Sequence, residues 1–127
     1  MKRTIIYLTL TMVPSYAQVD YYTQVQTIFN DNCISCHING GAYYGGLDLA
    51  NYDSLMVGSH NGDVVIPGDH ASSILWQEIS SGDMPPGNSD ELSTEEIELI
   101  AQWIDEGALE TAILTDPCDL GVVYVSE

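Results

Sequence analysis

Apolar residues recur at helical spacing along most of the chain. In the first such stretch, Asp20 to Asn32, Val25, Ile28 and Phe29 share one face before the sequence runs into Cys33. That pattern predicts a first helix whose apolar side ends beside the cysteine. A glycine-rich stretch, Asn39 to Gly46, predicts a break. Gly45-Gly46-Leu47-Asp48-Leu49 then leads to a short helix near Tyr52 to Val57, which Gly58 is expected to close in a left-handed cap. Val64-Val65-Ile66-Pro67-Gly68 reads as an extended piece and a turn. Asp69 is placed to cap a helix through about Ile79 that turns Ile74, Leu75 and Ile79 inward, and Ser80 to Asp90 follows as a loop.

The last helix carries the strongest marks. Ser93 and Glu96 have capping-box spacing, Leu92 and Ile97 stand where a hydrophobic staple would, and Gly107 sits at the expected end. Ile97, Ile100, Trp103 and Ile104 form one apolar stripe, which reads as plain core packing, while Glu95, Glu98, Gln102, Asp105 and Glu106 face water. Four helices on this length of chain predict a small all-α domain. No internal repeat or low-complexity tract interrupts the pattern.

The N-terminus follows a different logic. Lys2 and Arg3 precede an apolar run from Thr4 to Val13, and Pro14-Ser15-Tyr16-Ala17 supplies small residues at the positions before a cut. Residues 1–17 therefore read as a secretory signal peptide, with an apolar stretch well short of the roughly 20 residues that span a bilayer. An uncleaved anchor is the alternative. Cleavage after Ala17 removes the only Lys and Arg of the chain and leaves all 19 Asp and Glu on a mature domain beginning at Gln18. Nucleic-acid binding is excluded on that ground, because it draws its affinity from cationic residues neutralising phosphates. An anionic membrane surface is equally disfavoured, and no stable membrane insertion is expected after cleavage.

Chemistry concentrates in Cys33-Ile34-Ser35-Cys36-His37. Two thiols three positions apart, followed by an imidazole, are the signature of covalent c-type haem attachment: each sulfur can add to a vinyl group, and the histidine can meet the iron. In another compartment the same letters would suit a zinc site or a redox dithiol. The export signal favours haem. A second axial ligand decides between electron transfer and an open, reactive iron. Met84, followed by Pro85-Pro86-Gly87 in a loop between two helices, is the preferred candidate, because proline restricts the residue before it. Met56 lies at helical spacing beside Leu55 and reads as core, and His60 and His70 stand as polar alternatives to Met84. A thioether opposite an imidazole raises the reduction potential compared with two imidazoles. His37 also needs its other ring nitrogen hydrogen-bonded, a backbone carbonyl being the expected partner. The rivals are a haem peroxidase or sensor with an open distal site, a Cys/His zinc module, and a thiol–disulfide oxidoreductase.

The residues from about 20 to 110 resemble the small c-type cytochrome domain of the class I fold, in the variety common in planctomycetes and related bacteria. The resemblance rests on Phe29 with the Cys33–His37 pentapeptide, Gly45-Gly46-Leu47-Asp48-Leu49, Val65-Ile66-Pro67-Gly68-Asp69, Met84-Pro85-Pro86, and Leu92-Ser93 with Glu95-Glu96-Ile97 through Trp103-Ile104-Asp105-Glu106-Gly107-Ala108. It implies one haem c with thioethers at Cys33 and Cys36, proximal His37 and distal Met84. It also implies that the first and last helices cross and pack through Val25, Phe29, Ile100 and Trp103. His70 departs from the family, where proline is frequent, and the lack of Lys and Arg departs from carriers that dock through a basic ring.

These readings place an electron carrier, not an enzyme, at residues 18–110, in the periplasm or otherwise outside the cytoplasm. Its partners would be redox proteins, with basic docking surfaces or as a covalently linked enzyme domain. Residues 111–127 read as a linker, with Thr115-Asp116-Pro117-Cys118-Asp119 as a turn and a β-prone stretch from Leu120 to Val125. Cys118 is an odd cysteine for an exported protein, which suggests a partner thiol elsewhere, a longer chain, or a loose terminus with a free thiol.

Overall fold

The computed structural model describes residues 17–39, 44–87 and 91–111. Most of the expected signal segment, at 1–16, and most of the expected linker, at 112–127 with Cys118, lie outside the described residues. In chain order come a π-helical turn at Tyr21–Val25, α1 (Gln26–Asn32), α2 (Tyr52–Val57), α3 (Ile74–Ser81) and α4 (Thr94–Asp105). Among the described residues there is no strand, and one isolated bridge pairs Ser59 with Gly62. The architecture is helical, in line with the all-α expectation.

The first helical run starts where Asp20 caps it: the carboxylate accepts from the Thr23 N–H at 2.9 Å and from the Thr23 hydroxyl at 2.7 Å. The Gln26 N–H then reaches back five residues to the Tyr21 carbonyl, which makes the first turn wider than an α-turn. Tyr21, Val25 and Gln26 are all buried as a result. At the other end of the domain the expected capping box forms. Ser93 Oγ accepts from the Glu96 N–H at 3.2 Å, and Glu96 Oε2 accepts from the Ser93 N–H at 2.8 Å. The stripe on α4 buries Ile100, Trp103 and Ile104 completely, with Ile97 half-buried at its start.

The two runs meet through aromatic rings. Tyr21 and Trp103 lie 5.3 Å apart between centroids at 42°, and Tyr21 also meets Tyr52 edge-on at 5.2 Å. Val25, Phe29, Ile100 and Trp103 join the same core, as the family resemblance implies, but Tyr21 is the ring at its centre. Polar tips find partners at the rim. Trp103 Nε1 donates to the Leu109 carbonyl at 2.9 Å, and the Tyr52 hydroxyl donates to the Ala108 carbonyl at 2.9 Å, so the chain after α4 is strapped across the core.

Two local expectations are corrected. The third helix begins at Ile74 rather than at Asp69, because Asp69 spends its carboxylate on the Ser72 N–H in a preceding turn. Ser73 becomes the cap residue, fully buried, with its hydroxyl donating to the Asp69 carbonyl at 2.8 Å and accepting from the Ile66 N–H at 2.8 Å. Starting there, α3 turns Leu75 and Ile79 inward and leaves Ile74 45% exposed. Gly58 has φ +85° and ψ −149°, so it ends α2 in a conformation other than the left-handed cap. Any Cβ there would lie 2.5 Å from the Gly62 carbonyl oxygen, in the tight turn that the Ser59–Gly62 bridge closes.

Candidate functional site

Helix α1 stops at Asn32, and the chain winds once more through the pentapeptide. The Cys33 and Ile34 N–H groups donate to the Phe29 carbonyl at 2.8 and 3.0 Å. The Cys33 carbonyl in turn accepts from the Cys36 and His37 N–H groups at 3.1 and 3.0 Å. Both thiols and the imidazole therefore belong to one turn whose backbone is bonded within itself and to α1. The cysteines are free and half-buried. Burial pushes the Cys33 thiol up to about 11, assisted by the charges of Cys36 and Glu96. A thiol held so far above neutrality is a poor fit to a redox dithiol, which works through an accessible thiolate.

Glu96 is in the first turn of α4, and the next residue, Ile97, lines a cleft of about 230 Å³ together with Ile79, Met84 and Leu92. Cys33 and Met84 both pack against the same core. Met84 is half-buried against the core, and its N–H donates to the Glu78 carbonyl at 3.1 Å, which fixes where the Pro85-Pro86 loop leaves α3.

His37 is held by its main chain. Its carbonyl accepts from the Leu49 N–H at 2.9 Å, and its ring tilts against Tyr44 with centroids 5.9 Å apart. Nδ1 of His37 is buried with no partner among the described residues, so the expected bond from this ring nitrogen to a backbone carbonyl is not made. The indole nitrogen of Trp76 is orphaned in the same way.

The alternative ligands have other engagements. His70 Nδ1 lies 2.8 and 2.7 Å from the two carboxylate oxygens of Asp105, and its ring meets Trp76 edge-on at 4.6 Å. The His60 N–H donates to the Gly45 carbonyl at 2.8 Å, and its exposed ring lies over Gly46, where a Cβ would collide with it. Met56 packs against the core from α2. Among the described residues no three His, Cys, Asp or Glu converge as a metal cluster, so the zinc alternative finds no ligand set.

Pattern reasoning missed Tyr21, Gln26, Leu49, Ser73 and Trp76 as contributors to this region. Tyr21 does lie four positions before Val25 and eight before Phe29, so helical spacing extended one turn upstream finds it. Gln26 is a polar residue within the apolar stripe, a signal visible without coordinates.

A small helical domain with two thiols and an imidazole on one turn is consistent with a cytochrome-like fold. Residues 33–88 match the family model of planctomycete cytochrome C, which supports a planctomycete-type cytochrome c domain in that stretch of the chain. The matched stretch takes in the pentapeptide and Met84 and leaves α1 and α4 outside it. No curated protein and no solved structure matches the chain. The family implies covalently bound haem c and, in general, electron transfer. The residues present fit such a group: two free thiols and a histidine share one turn, and the half-buried Met84 lines a cleft with a soft sulfur donor.

Proposed function

We propose that this protein transfers single electrons outside the cytoplasm through one c-type haem, held by thioethers at Cys33 and Cys36 with His37 and Met84 as axial ligands. When bound, the haem supplies an iron that accepts and returns one electron. The chain's own residues supply the rest. Cys33 and Cys36 fix the group to a turn that α1 anchors, His37 offers a neutral imidazole from that same turn, and Met84 offers a neutral thioether that favours the ferrous state. Filling both axial positions leaves none for a substrate, which is why carriage is favoured over peroxidase or sensor chemistry. Ile79, Leu92 and Ile97 line the cleft beside Met84.

The observation that supports this reading is that Cys33, Cys36 and His37 share one turn while Cys33 and Met84 both pack against the same core. Export through residues 1–17 places maturation where c-type attachment occurs. The partner is a redox protein with a basic docking face, or an enzyme domain joined covalently, because the mature surface offers carboxylates with no Lys or Arg among them. Among the described residues no helix is long and apolar enough to cross a membrane.

Intact mass and visible spectra of protein from its native host test the proposal. The expected result is a mass increased by one haem, thiols 33 and 36 closed to alkylation, and a low-spin spectrum with the weak ferric band of sulfur ligation. That band should vanish in Met84→Ala. An unmodified mass overturns haem attachment, and a high-spin ferric spectrum overturns Met84 as ligand and favours an open distal site.

A further inference from the structure

Gln26 is 7% exposed on the inward face of α1, where an apolar side chain would pack without needing partners. Its amide is satisfied at both ends. Oε1 accepts the Tyr21 hydroxyl at 2.7 Å, while Nε2 donates to the Leu49 carbonyl at 3.0 Å and to Asn30 Oδ1 at 2.9 Å. Buried amides persist where their hydrogen bonds are complete, and these define a chain of contacts with a direction. Leu49 is 1% exposed and gripped at both main-chain atoms: Gln26 holds its carbonyl, and its N–H donates to the His37 carbonyl at 2.9 Å. The segment from His37 to Leu49 is thus a closed loop whose closing residue is bolted to α1.

We infer that Gln26 is a positioning residue for His37, acting through Leu49. This rests on the reading of His37 as an iron ligand. The reason is geometric. Among the described residues no bond at His37 Nδ1 orients the ring. Its placement is set by the backbone it hangs from, and that backbone is tied on one side to α1 through Cys33 and on the other to Leu49. Releasing Leu49 frees the second tie. Tyr21, locked between Tyr52 and Trp103, orients the amide and so links the ligand's backbone to the packing of the aromatic core.

The test uses the full-length, haem-loaded protein carrying Gln26→Leu, beside Asn30→Ala, which removes only the Asn30 branch. Gln26→Leu should speed exchange of the Leu49 amide by about tenfold or more, in line with one lost hydrogen bond. It should also move both the midpoint potential and the paramagnetically shifted resonances of the His37 ring, while Asn30→Ala leaves them in place. A purely structural Gln26 would lower the thermal midpoint and leave the potential and the His37 resonances unchanged, and that result overturns the inference. Should Gln26→Leu not accumulate folded, Tyr21→Phe removes the donor that orients the amide. A smaller displacement of the same two readouts is expected, and unchanged values overturn the inference equally. A parent protein lacking haem mass condemns the ligand reading instead, so the two failures are distinguishable.

Discussion

Asp105, the last residue of α4, grips His70 three times: its carboxylate oxygens lie 2.8 and 2.7 Å from Nδ1, and Oδ1 accepts the His70 backbone N–H at 3.0 Å. The turn before α3 is thereby stapled to the end of α4, across 35 positions of sequence. The same ring meets Trp76 edge-on at 4.6 Å. The engagement gives the residue that departs from the family pattern a structural task of its own.

The first prediction follows from that pair. Hydrogen bonds from the His70 backbone, then from its side chain, hold the Asp105 carboxyl below the ordinary value of 3.8. A carboxyl depressed in the folded state contributes stability above its unfolded value and loses it as pH falls through the folded one. Asp105→Asn should therefore lower stability at pH 5 by no more than about 1 kcal/mol, as befits an exposed pair. The gap between parent and variant in thermal midpoint should close below pH 4, and a gap that persists into stronger acid would contradict the assignment.

A second concerns alkali. Burial, followed by the charges of Tyr22, Tyr52 and Glu110, raises the Tyr21 phenol far above its usual 10.0. Its neutral form is stabilised in the folded protein, so this contribution is complete below pH 10 and is lost as pH rises from there through the folded value. Tyr21→Phe should cost about 1–3 kcal/mol at neutral pH, since Gln26 Oε1 loses its donor. The deficit should shrink above pH 10 in chemical denaturation curves.

Two glycines should respond unequally to alanine. Gly46 has φ +81°, and its new methyl would meet only the exposed ring of His60, which can swing aside. Gly58 would instead press its methyl on the Gly62 backbone carbonyl at 2.5 Å. Backbone strain alone suggests about 1 kcal/mol for Gly46→Ala, and strain plus overpacking about 3 kcal/mol for Gly58→Ala. Urea midpoints of the two variants measure the difference, and adding His60→Ala should relieve only the steric part of the Gly46 effect.

Charge sets a fourth expectation. With 19 acidic residues and no Lys or Arg beyond Arg3, the chain after Arg3 repels itself, and salt screens that repulsion over a Debye length of about 8 Å at physiological ionic strength. The thermal midpoint should climb from 10 mM to 500 mM sodium chloride. A flat response would show that the carboxylates are spaced too widely to matter.

Much of the helical framework was legible before any coordinates. The capping box at Ser93 and Glu96, the stripe through Ile100, Trp103 and Ile104, and the first helical stretch up to Asn32 are all local signals, and each appears where expected. The start of α3 was not legible, because Asp69 and Ser73 both have capping chemistry. The choice fell to Ser73 once its hydroxyl bridged Ile66 and Asp69. Ile74 was misjudged with it, since moving a helix start changes the company in which each side chain is counted.

By itself the sequence determined the reactive pentapeptide and the helices that frame it, because spacing within a turn is fixed by covalent geometry and periodicity. Only the tertiary structure decided that Tyr21 fills the middle of the core, that Gln26 holds Leu49 from 23 positions away, and that Cys33 and Met84 pack against the same core. Such contacts join residues distant in the chain, and they depend on how the packed helices sit against one another, which no local pattern of polar and apolar positions specifies.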